Sequence, residues 1–253
     1  LPKQPDSTGS WPGSRSKNLT EINPILNTAI LSKIFTCYGD GYAQGNVTWK
    51  RSQLYFQEIK RYSHCKDDTT NKGWIHTDIN VNDRIKNELV GLIYLSPDID
   101  TDSGTSLFVR NPEMNQQEEE KLFSSVDIKK ENNFYKGNAI TMKAFLYRNR
   151  SMVNIQNFQK RYKEVYEQHE KFYIEKIRFQ NIYNSMIAYD PNEHHRANNF
   201  YHKEEENRRL TLVFFIGGLE ISEYPLKKVK NSEYEKIIDE QIEKKVSENV
   251  GSN

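Results

Sequence analysis

Several short stretches of the chain are either continuously apolar or mix apolar and polar residues with a β-branched and aromatic bias, as is typical of β-strands. The runs ELVGLIYLS at 88–96 and RRLTLVFFIGG at 208–218 are almost wholly apolar after their first residues. Residues 47–61 and 174–190 are more mixed, and a further short strand is expected after the turn at 103–104. The pattern predicts a strand-rich middle of the chain in which 88–96 and 208–218 are buried.

Helical patterns flank these strands. Asn23 is a favourable N-cap and Pro24 suits the first helical position, so a helix is expected to begin there. Its apolar stripe consists of Ile25, Leu26, Ala29, Ile30, Ile34 and Phe35. Residues 155–172 place aromatic side chains at helical spacing, and the charged run at 231–247 predicts a solvated helix.

Strands and helices do not alternate regularly, which favours an antiparallel core over a wound βαβ sheet. We therefore predict an α+β fold with a double-stranded β-helix core, a jelly roll of the cupin-like kind, and flanking helices. The predicted organisation is one domain over 1–253. Its parts are an N-terminal arm (1–20), the core (21–220) with a helical insertion at about 112–172, and a charged C-terminal helix (221–253).

Composition narrows the class of protein. The 15 Tyr, 12 Phe and 3 Trp residues argue against disorder, and a net charge of +1 disfavours nucleic acid or an anionic membrane as partner. No apolar run approaches the roughly 20 residues that span a bilayer. The only two cysteines, Cys37 and Cys65, fit a reducing compartment, so a cytoplasmic location is expected.

The segment WIHTDIN, at 74–80, places a histidine and an aspartate two residues apart in a predicted strand over 74–79. Side chains alternate along a strand, so His76 and Asp78 should share a face, and burying both is costly unless something compensates them. A metal ion would do so, with a third ligand from one of the other histidines. These are His64, His169, His194, His195 and His202. Two histidines and a carboxylate are the ligand set of non-haem Fe(II) oxygenases.

A second polar signal opens the last apolar strand. Arg209, Thr211 and Val213 share a face by alternation, and an arginine that enters a buried strand needs an anionic partner. A small carboxylic acid held bidentately would suit the guanidinium, with the Thr211 hydroxyl donating one more bond. The alternative is a structural salt bridge to Glu204 or Glu206.

The motifs HTD, GLIYLS, SGTSLF, YDPNEHHRA and RLTLVFF, in this order, resemble the iron and 2-oxoglutarate-dependent dioxygenases, above all the prolyl-hydroxylase-like branch of bacteria and phages. The resemblance covers roughly residues 70–217, with a looser similarity in TGSWPGSRS. It implies that Fe(II) is held by His76, Asp78 and a histidine of the HH pair. We favour His195 over His194, because neighbours in an extended segment point to opposite sides and HRA matches the family pattern better.

The same resemblance implies that Arg209 and Thr211 bind 2-oxoglutarate and that Tyr94 contacts it. The expected activity is O₂-dependent hydroxylation of a C–H bond of an unidentified substrate, with release of succinate and CO₂. Peptidyl proline, another amino acid, a free metabolite and a nucleobase all stay open as substrates, and a phage-encoded enzyme would act in the host cytoplasm. The alternatives are a cupin-like metalloenzyme that does not use 2-oxoglutarate and a non-catalytic jelly-roll binding module.

Overall fold

The computed structural model describes residues 11–38, 47–79, 87–97, 99–124, 156–204 and 207–221. The strands are β1 (Ser14–Arg15), β2 (Val47–Thr48), β3 (Arg51–Ile59), β4 (Asn87–Tyr94), β5 (Thr105–Arg110), β6 (Tyr173–Phe179), β7 (Met186–Tyr189), β8 (His194–Ala197), β9 (Arg209–Gly217) and β10 (Glu220–Ile221). The helices are α1 (Leu19–Ile22), α2 (Pro24–Tyr38), α3 (Gln116–Ser124) and α4 (Gln156–Glu170), and short 3₁₀ turns lie at Thr69–Asn71 and Thr101–Ser103.

The described residues fall into two compact units. The larger contains those of 11–28 and 49–219, and the smaller contains those of 29–48 and 220–221, where β2 and β10 pair antiparallel. The predicted single domain stays a prediction. Of the predicted charged helix at 221–253, Ile221 belongs instead to β10 and the rest lies outside the described residues, as does the middle of the predicted insertion.

A five-stranded antiparallel sheet dominates the larger unit, with the order β1-β3-β9-β4-β7. The strand β9 is central and pairs along its length with both β3 and β4, which explains why its sequence is almost continuously apolar. The two strands predicted at 88–96 and 208–218 are therefore confirmed, and the structure shows that they are neighbours in the sheet. The mixed run at 174–190 divides into β6 and β7, which belong to different sheets.

A three-stranded antiparallel sheet, with the order β6-β5-β8, forms the second layer of strands. The segment around His76 lies along β8 but is not the regular strand that the sequence predicted, because among the described residues it forms a single bridge, between His76 and His195. Gly73 N donates to Ala197 O at 2.8 Å, whereas Asp78 N donates to Pro191 O at 3.0 Å. Pro191 belongs to the turn before β8, so the regular pairing of these two segments ends at that turn.

Side-chain bonds join the two sheets. Tyr94 Oη of β4 donates to Thr105 Oγ1 of β5 at 2.9 Å, and Arg209 Nε of β9 donates to the carbonyl of Ser103, just before β5, at 2.9 Å. We call the side of the five-stranded sheet that carries Tyr94, Thr211 and Arg209 the inner face. The α+β class with mostly antiparallel sheets and a few helices is confirmed, and it is compatible with a β-sandwich; the jelly-roll topology stays a prediction.

The helix α4 confirms the predicted helix at 155–172 and fixes the chain next to His76. The Trp74 ring makes edge contacts with Tyr162 and Tyr166, at centroid distances of 5.6 and 5.0 Å. Tyr166 Oη also donates to Gly73 O at 3.0 Å. Because Trp74 is only 1% exposed, this aromatic cluster holds residues 73–75 firmly in place.

A buried polar cluster joins α3 to the second sheet. Glu119 of α3 accepts hydrogen bonds from Arg110 at 2.6 Å and from the Tyr173 hydroxyl at 2.8 Å. Its Oε1 also lies 3.0 Å from Nε2 of His169, on α4. This carboxylate is therefore a structural link between α3, α4 and the sheet.

Two sequence predictions outside the core have different outcomes. The Asn23 side chain caps α2, since its Oδ1 accepts from Leu26 N at 3.0 Å, as predicted. Within the described part of the chain no helix is both long and apolar enough to cross a membrane. The cytoplasmic location stays a prediction.

Candidate metal centre

His76 and His195 face each other across a single antiparallel bridge. His76 N donates to His195 O at 3.0 Å, and His195 N donates to His76 O at 2.9 Å. Residues directly opposite in such a bridge direct their side chains to the same side. Asp78 follows His76 by two residues in extended chain and so joins the same side.

The three side chains converge on one point. Nε2 of His195 lies 3.3 Å from Oδ2 of Asp78, and Nε2 of His76 lies 3.7 Å from Oδ1. One potential ligand atom from each residue lies within 4.8 Å of the other two. His76, Asp78 and His195 therefore form a group that could hold a metal ion.

Main-chain carbonyls orient both imidazoles. Nδ1 of His76 lies 2.8 Å from Trp74 O, and Nδ1 of His195 lies 3.0 Å from Glu193 O. A carbonyl only accepts, so each Nδ1 carries a proton, and Nε2, which faces Asp78, is the nitrogen that could bind a metal once its own proton is removed. Metal-binding histidines usually donate such a hydrogen bond from the ring nitrogen that does not bind the metal.

The electrostatics of the group are those of a site that attracts a cation. The side chains of His195 and Asp78 are 7% and 18% exposed, while the side chain of His76 is 41% exposed. Burial alone would raise the pKa of Asp78, but His195 and His76 outweigh burial and lower it to about 2. Burial would lower the pKa of His195, yet Asp78 raises it. A bound divalent ion would replace the protons that Asp78 stabilises on the imidazole rings.

His194 lies on the other side of β8. It pairs with Phe108 of β5, and its ring lies 5.0 Å from that of Tyr173. Phe108 and Tyr173 belong to a hydrophobic cluster with Ile75 and Phe172. The structure thus brings His195 into the three-residue group and places His194 among core side chains.

The predicted anion-binding residues lie together on the inner face. Thr211 is directly opposite Tyr94 in the sheet, and Arg209 is two residues along the same strand. Arg209 is 2% exposed and its guanidinium lies 5.6 Å from the Tyr94 ring centroid. Thr211 is 1% exposed, and its buried hydroxyl has no hydrogen-bond partner among the residues that the structure describes.

The neighbouring arginine has a different environment. Arg208 Nε lies 3.5 Å from Glu58 Oε1, and Glu58 is opposite Leu210, on the outer side of the sheet. Glu204, proposed as an alternative partner of Arg209, is exposed, and Glu206 lies outside the described residues. The alternation inferred from the sequence therefore separates Arg208 from Arg209.

Tyr189 lies where the inner face approaches the candidate metal centre. It is opposite Val90 on the inner face, and its ring lies 4.6 Å from that of His195. Burial raises the pKa of Tyr189 well above its ordinary value, with Asp78 adding to the effect. The inner face of the five-stranded sheet thus extends to the three-residue group.

The sequence interpretation missed two features. Residues 1–20 were predicted to form an arm, with no position for Arg15 in a sheet, yet Arg15 lies on the inner face opposite Gln57. Glu119 was one acid in the run QQEEEK and gave no sign of being buried. For the position of Arg15, the only hint in the sequence was Gly13, since a Pro-Gly pair commonly turns the chain.

In comparisons with known proteins, no protein-family model, no curated protein and no solved structure matches this chain.

Proposed function

We propose that the protein is an Fe(II)- and 2-oxoglutarate-dependent oxygenase that hydroxylates a C–H bond of a primary substrate and releases succinate and CO₂. We further propose that its two sheets are those of a double-stranded β-helix. One observation supports this function best. A group with the ligand chemistry of a non-haem iron site lies beside a sheet face that carries a buried Arg209–Thr211 pair.

The donor set suits iron. Two imidazole nitrogens and one carboxylate occupy one side of an ion and leave its remaining positions to other ligands. The Nδ1 bonds to Trp74 O and Glu193 O already select the tautomer that binds through Nε2. His76, Asp78 and His195 would hold the ion.

The inner face suits a dicarboxylate. The Arg209 guanidinium has the planar fork that suits a carboxylate, and the Thr211 hydroxyl, which has no hydrogen-bond partner in the described part of the chain, lies on the same side of the strand. A buried polar hydrogen-bonding group that lacks a partner is costly, so a ligand oxygen at Thr211 would remove that cost. Arg209 and Thr211 would hold the far carboxylate of 2-oxoglutarate.

The residues of this chain bind and orient the reactants. When bound, the ion and the keto acid would together supply the activation of O₂. Asp78 remains ionised because its pKa is about 2, so it can neutralise part of the charge of the cation. Tyr94, which is buried, lies beside Arg209, and Tyr189 lies beside His195, so both rings would line the interval between the two binding groups. Arg209, tied to Ser103 O, fixes the orientation of the dicarboxylate.

Calorimetry on the Zn(II)-loaded protein tests the proposal without requiring a substrate. We expect 2-oxoglutarate to bind the loaded protein much more tightly than the metal-free protein. Glutarate, which has both carboxylates but no keto oxygen, should bind more weakly than 2-oxoglutarate. Equal affinity for the two acids, or affinity independent of the metal, would contradict keto-acid chelation. Metal binding without any affinity for 2-oxoglutarate would favour a cupin-like metalloenzyme instead.

A further inference from the structure

Asp78 is held differently from the two histidines of the candidate centre. His76 and His195 fix each other through both main-chain bonds of their bridge. In a regular antiparallel ladder the next pair that exchanges both bonds lies two residues along, so Asp78 would exchange bonds with Glu193. Glu193 N instead donates to Asp190 O, at 2.9 Å, inside the turn before β8. The turn therefore takes away the donor that a regular strand would supply to the Asp78 carbonyl.

The side chain of Asn87, the first residue of β4, supplies a donor in its place. Asn87 Nδ2 donates to Asp78 O at 3.2 Å. Asp78 N donates to Pro191 O at 3.0 Å, so the main chain of Asp78 is bonded through both its N–H and its carbonyl. Asp78 is therefore tied to the five-stranded sheet as well as to the turn that leads into β8.

Arg51 fixes which end of the Asn87 amide faces Asp78. One of the terminal nitrogens of Arg51 donates to Asn87 Oδ1 at 2.6 Å. A guanidinium has no acceptor, so the amide atom that it contacts must be the oxygen, and the NH₂ group is directed to the Asp78 carbonyl. Arg51 of β3 and Asn87 of β4 are both opposite Gly217 of β9. Because glycine has no side chain, the Arg51 side chain can cross β9 to reach Asn87.

The strand β4 is irregular directly after Asn87. Asn87 is opposite Gly217, whereas Leu89 is opposite Ile216, so the register of β4 against β9 shifts between these positions. An irregularity of this kind bends the strand and redirects the side chain beside it. It accounts for how the first residue of a strand inside the sheet reaches a carbonyl that belongs to no sheet.

We infer that Asn87, oriented by Arg51, is a positioning residue for the metal ligand Asp78. The inference rests on the proposed function of the candidate centre. The amide replaces the missing strand bond and holds the Asp78 carboxylate between the two imidazoles, 3.3 Å from Nε2 of His195 and 3.7 Å from that of His76. Removing a partner that orients a metal ligand typically lowers metal affinity by about 10–100-fold. Asn87 does not bind the ion and acts only through Asp78.

The test compares the affinities of the metal-free protein and its variants for Zn(II), by calorimetry, and for Mn(II), by the EPR signal of the free ion. Asn87→Leu keeps the approximate size of the side chain and removes the donor. Arg51→Leu removes the group that orients the amide, and Arg51→Lys keeps a donor to it. Glu119→Gln is the control for stability, because its buried cluster contains no metal ligand. The free energy of unfolding of each metal-free variant is measured alongside.

We expect Asn87→Leu to weaken Zn(II) binding by about tenfold or more. Mn(II) should lose more affinity than Zn(II), because Mn(II) favours carboxylate ligands and only the carboxylate is misplaced, while both imidazoles remain. Arg51→Leu should cause a smaller loss of the same kind, and Arg51→Lys should retain most of the Zn(II) affinity. Glu119→Gln should lower stability and leave both metal affinities unchanged.

Unchanged Zn(II) affinity in Asn87→Leu would overturn the inference. Equal losses for Zn(II) and Mn(II) that follow the loss of stability would also overturn it, since a merely structural amide gives that result. The oxygenase proposal fails separately if the wild-type protein binds Zn(II) but not 2-oxoglutarate, and the metal affinities of the variants then still decide the role of Asn87. A wild-type protein that binds neither ion would overturn both.

Discussion

His76 and His195 exchange two main-chain hydrogen bonds, of 3.0 and 2.9 Å, and this single bridge places both imidazoles beside Asp78. The bridge joins segments that are more than a hundred residues apart in the chain. Each ring is then oriented by a carbonyl two residues before it, at Trp74 and Glu193. The backbone thus sets the geometry of the candidate centre. Each prediction about the centre therefore concerns a single named residue.

The two adjacent histidines should differ sharply in metal binding. His195→Ala removes one of three ligands and should lower the affinity for Zn(II) or Fe(II) by orders of magnitude. His194→Ala leaves the ligands in place, because the His194 ring packs against Tyr173 on the other side of β8. Metal titration of both variants measures this directly. A large loss of affinity in His194→Ala with little loss in His195→Ala would show that β8 is shifted by one residue.

The adjacent residues Arg208 and Arg209 should likewise differ sharply in their contribution to the affinity for 2-oxoglutarate. Removing one partner of a buried charge pair costs roughly 3–5 kcal/mol, so Arg209→Ala should weaken 2-oxoglutarate binding by more than a hundredfold. Metal affinity should change little. Arg208→Ala is the matched control, since Arg208 interacts with Glu58 on the outer side. Calorimetry on metal-loaded variants distinguishes them, and equal losses would contradict the register of β9.

Metal affinity should increase with pH over a wider range than for ordinary histidines. Burial would lower the pKa of His195, but Asp78 raises it, so protons compete with the metal above the ordinary imidazole pKa of about 6.5. We therefore expect the Kd for Zn(II) to keep falling between about pH 6.5 and pH 8. A Kd that is constant over this interval would contradict the raised pKa.

The stability of the metal-free protein should follow the opposite trend over the same interval. The raised pKa of His195 contributes stability below its unfolded value of about 6.5, and this contribution is lost as the pH rises through the folded value. The lowered pKa of Asp78 contributes stability above about pH 3.9, which is lost as the pH falls toward 2. Denaturant titrations without metal should show the contribution of this pair decreasing above about pH 6.5, and Asp78→Asn should remove that dependence.

Glu119 should affect folding and leave the metal centre unchanged. Glu119→Gln weakens the bonds from Arg110 and Tyr173 and should lower the free energy of unfolding by about 1–3 kcal/mol. Glu120→Gln, at an exposed position of the same helix, should change it by much less. Denaturant unfolding of both variants, with metal titration alongside, tests this. Equal stability of the two variants would show that the buried cluster contributes little.

Local sequence patterns predicted the features that depend only on the geometry of a single strand. The alternation in RLTLVFF separated Arg208 from Arg209, and the spacing of HTD placed His76 and Asp78 on one side, because both depend only on the period of two residues. The helices at α2 and α4 followed from a cap and an aromatic stripe. The regular strand predicted at 74–79 was wrong, because the turn at Pro191, far away in the sequence, ends the pairing of this segment with β8.

Long-range pairing produced the features that the sequence did not show. The pairing of β1 with β3 places Arg15 on the inner face, and nothing near Arg15 in the sequence specifies β3 as its partner. Likewise, Glu119 and its neighbour Glu120 are identical residues in a polar run, and only the packing of α3 against Tyr173 and His169 distinguishes them. These contacts depend on tertiary structure, where burial is decided by partners from distant parts of the chain.

Anaerobic titration of the protein with Fe(II) and then 2-oxoglutarate tests the central claim most directly. A keto acid chelated to iron at two histidines and a carboxylate should produce a weak visible charge-transfer band that saturates at one equivalent of 2-oxoglutarate per bound metal. We expect this band in the wild-type protein and in His194→Ala, and its absence in His195→Ala. Absence of the band in the wild-type protein under anaerobic saturation, with stoichiometric Fe(II) confirmed, would contradict a 2-oxoglutarate-dependent function.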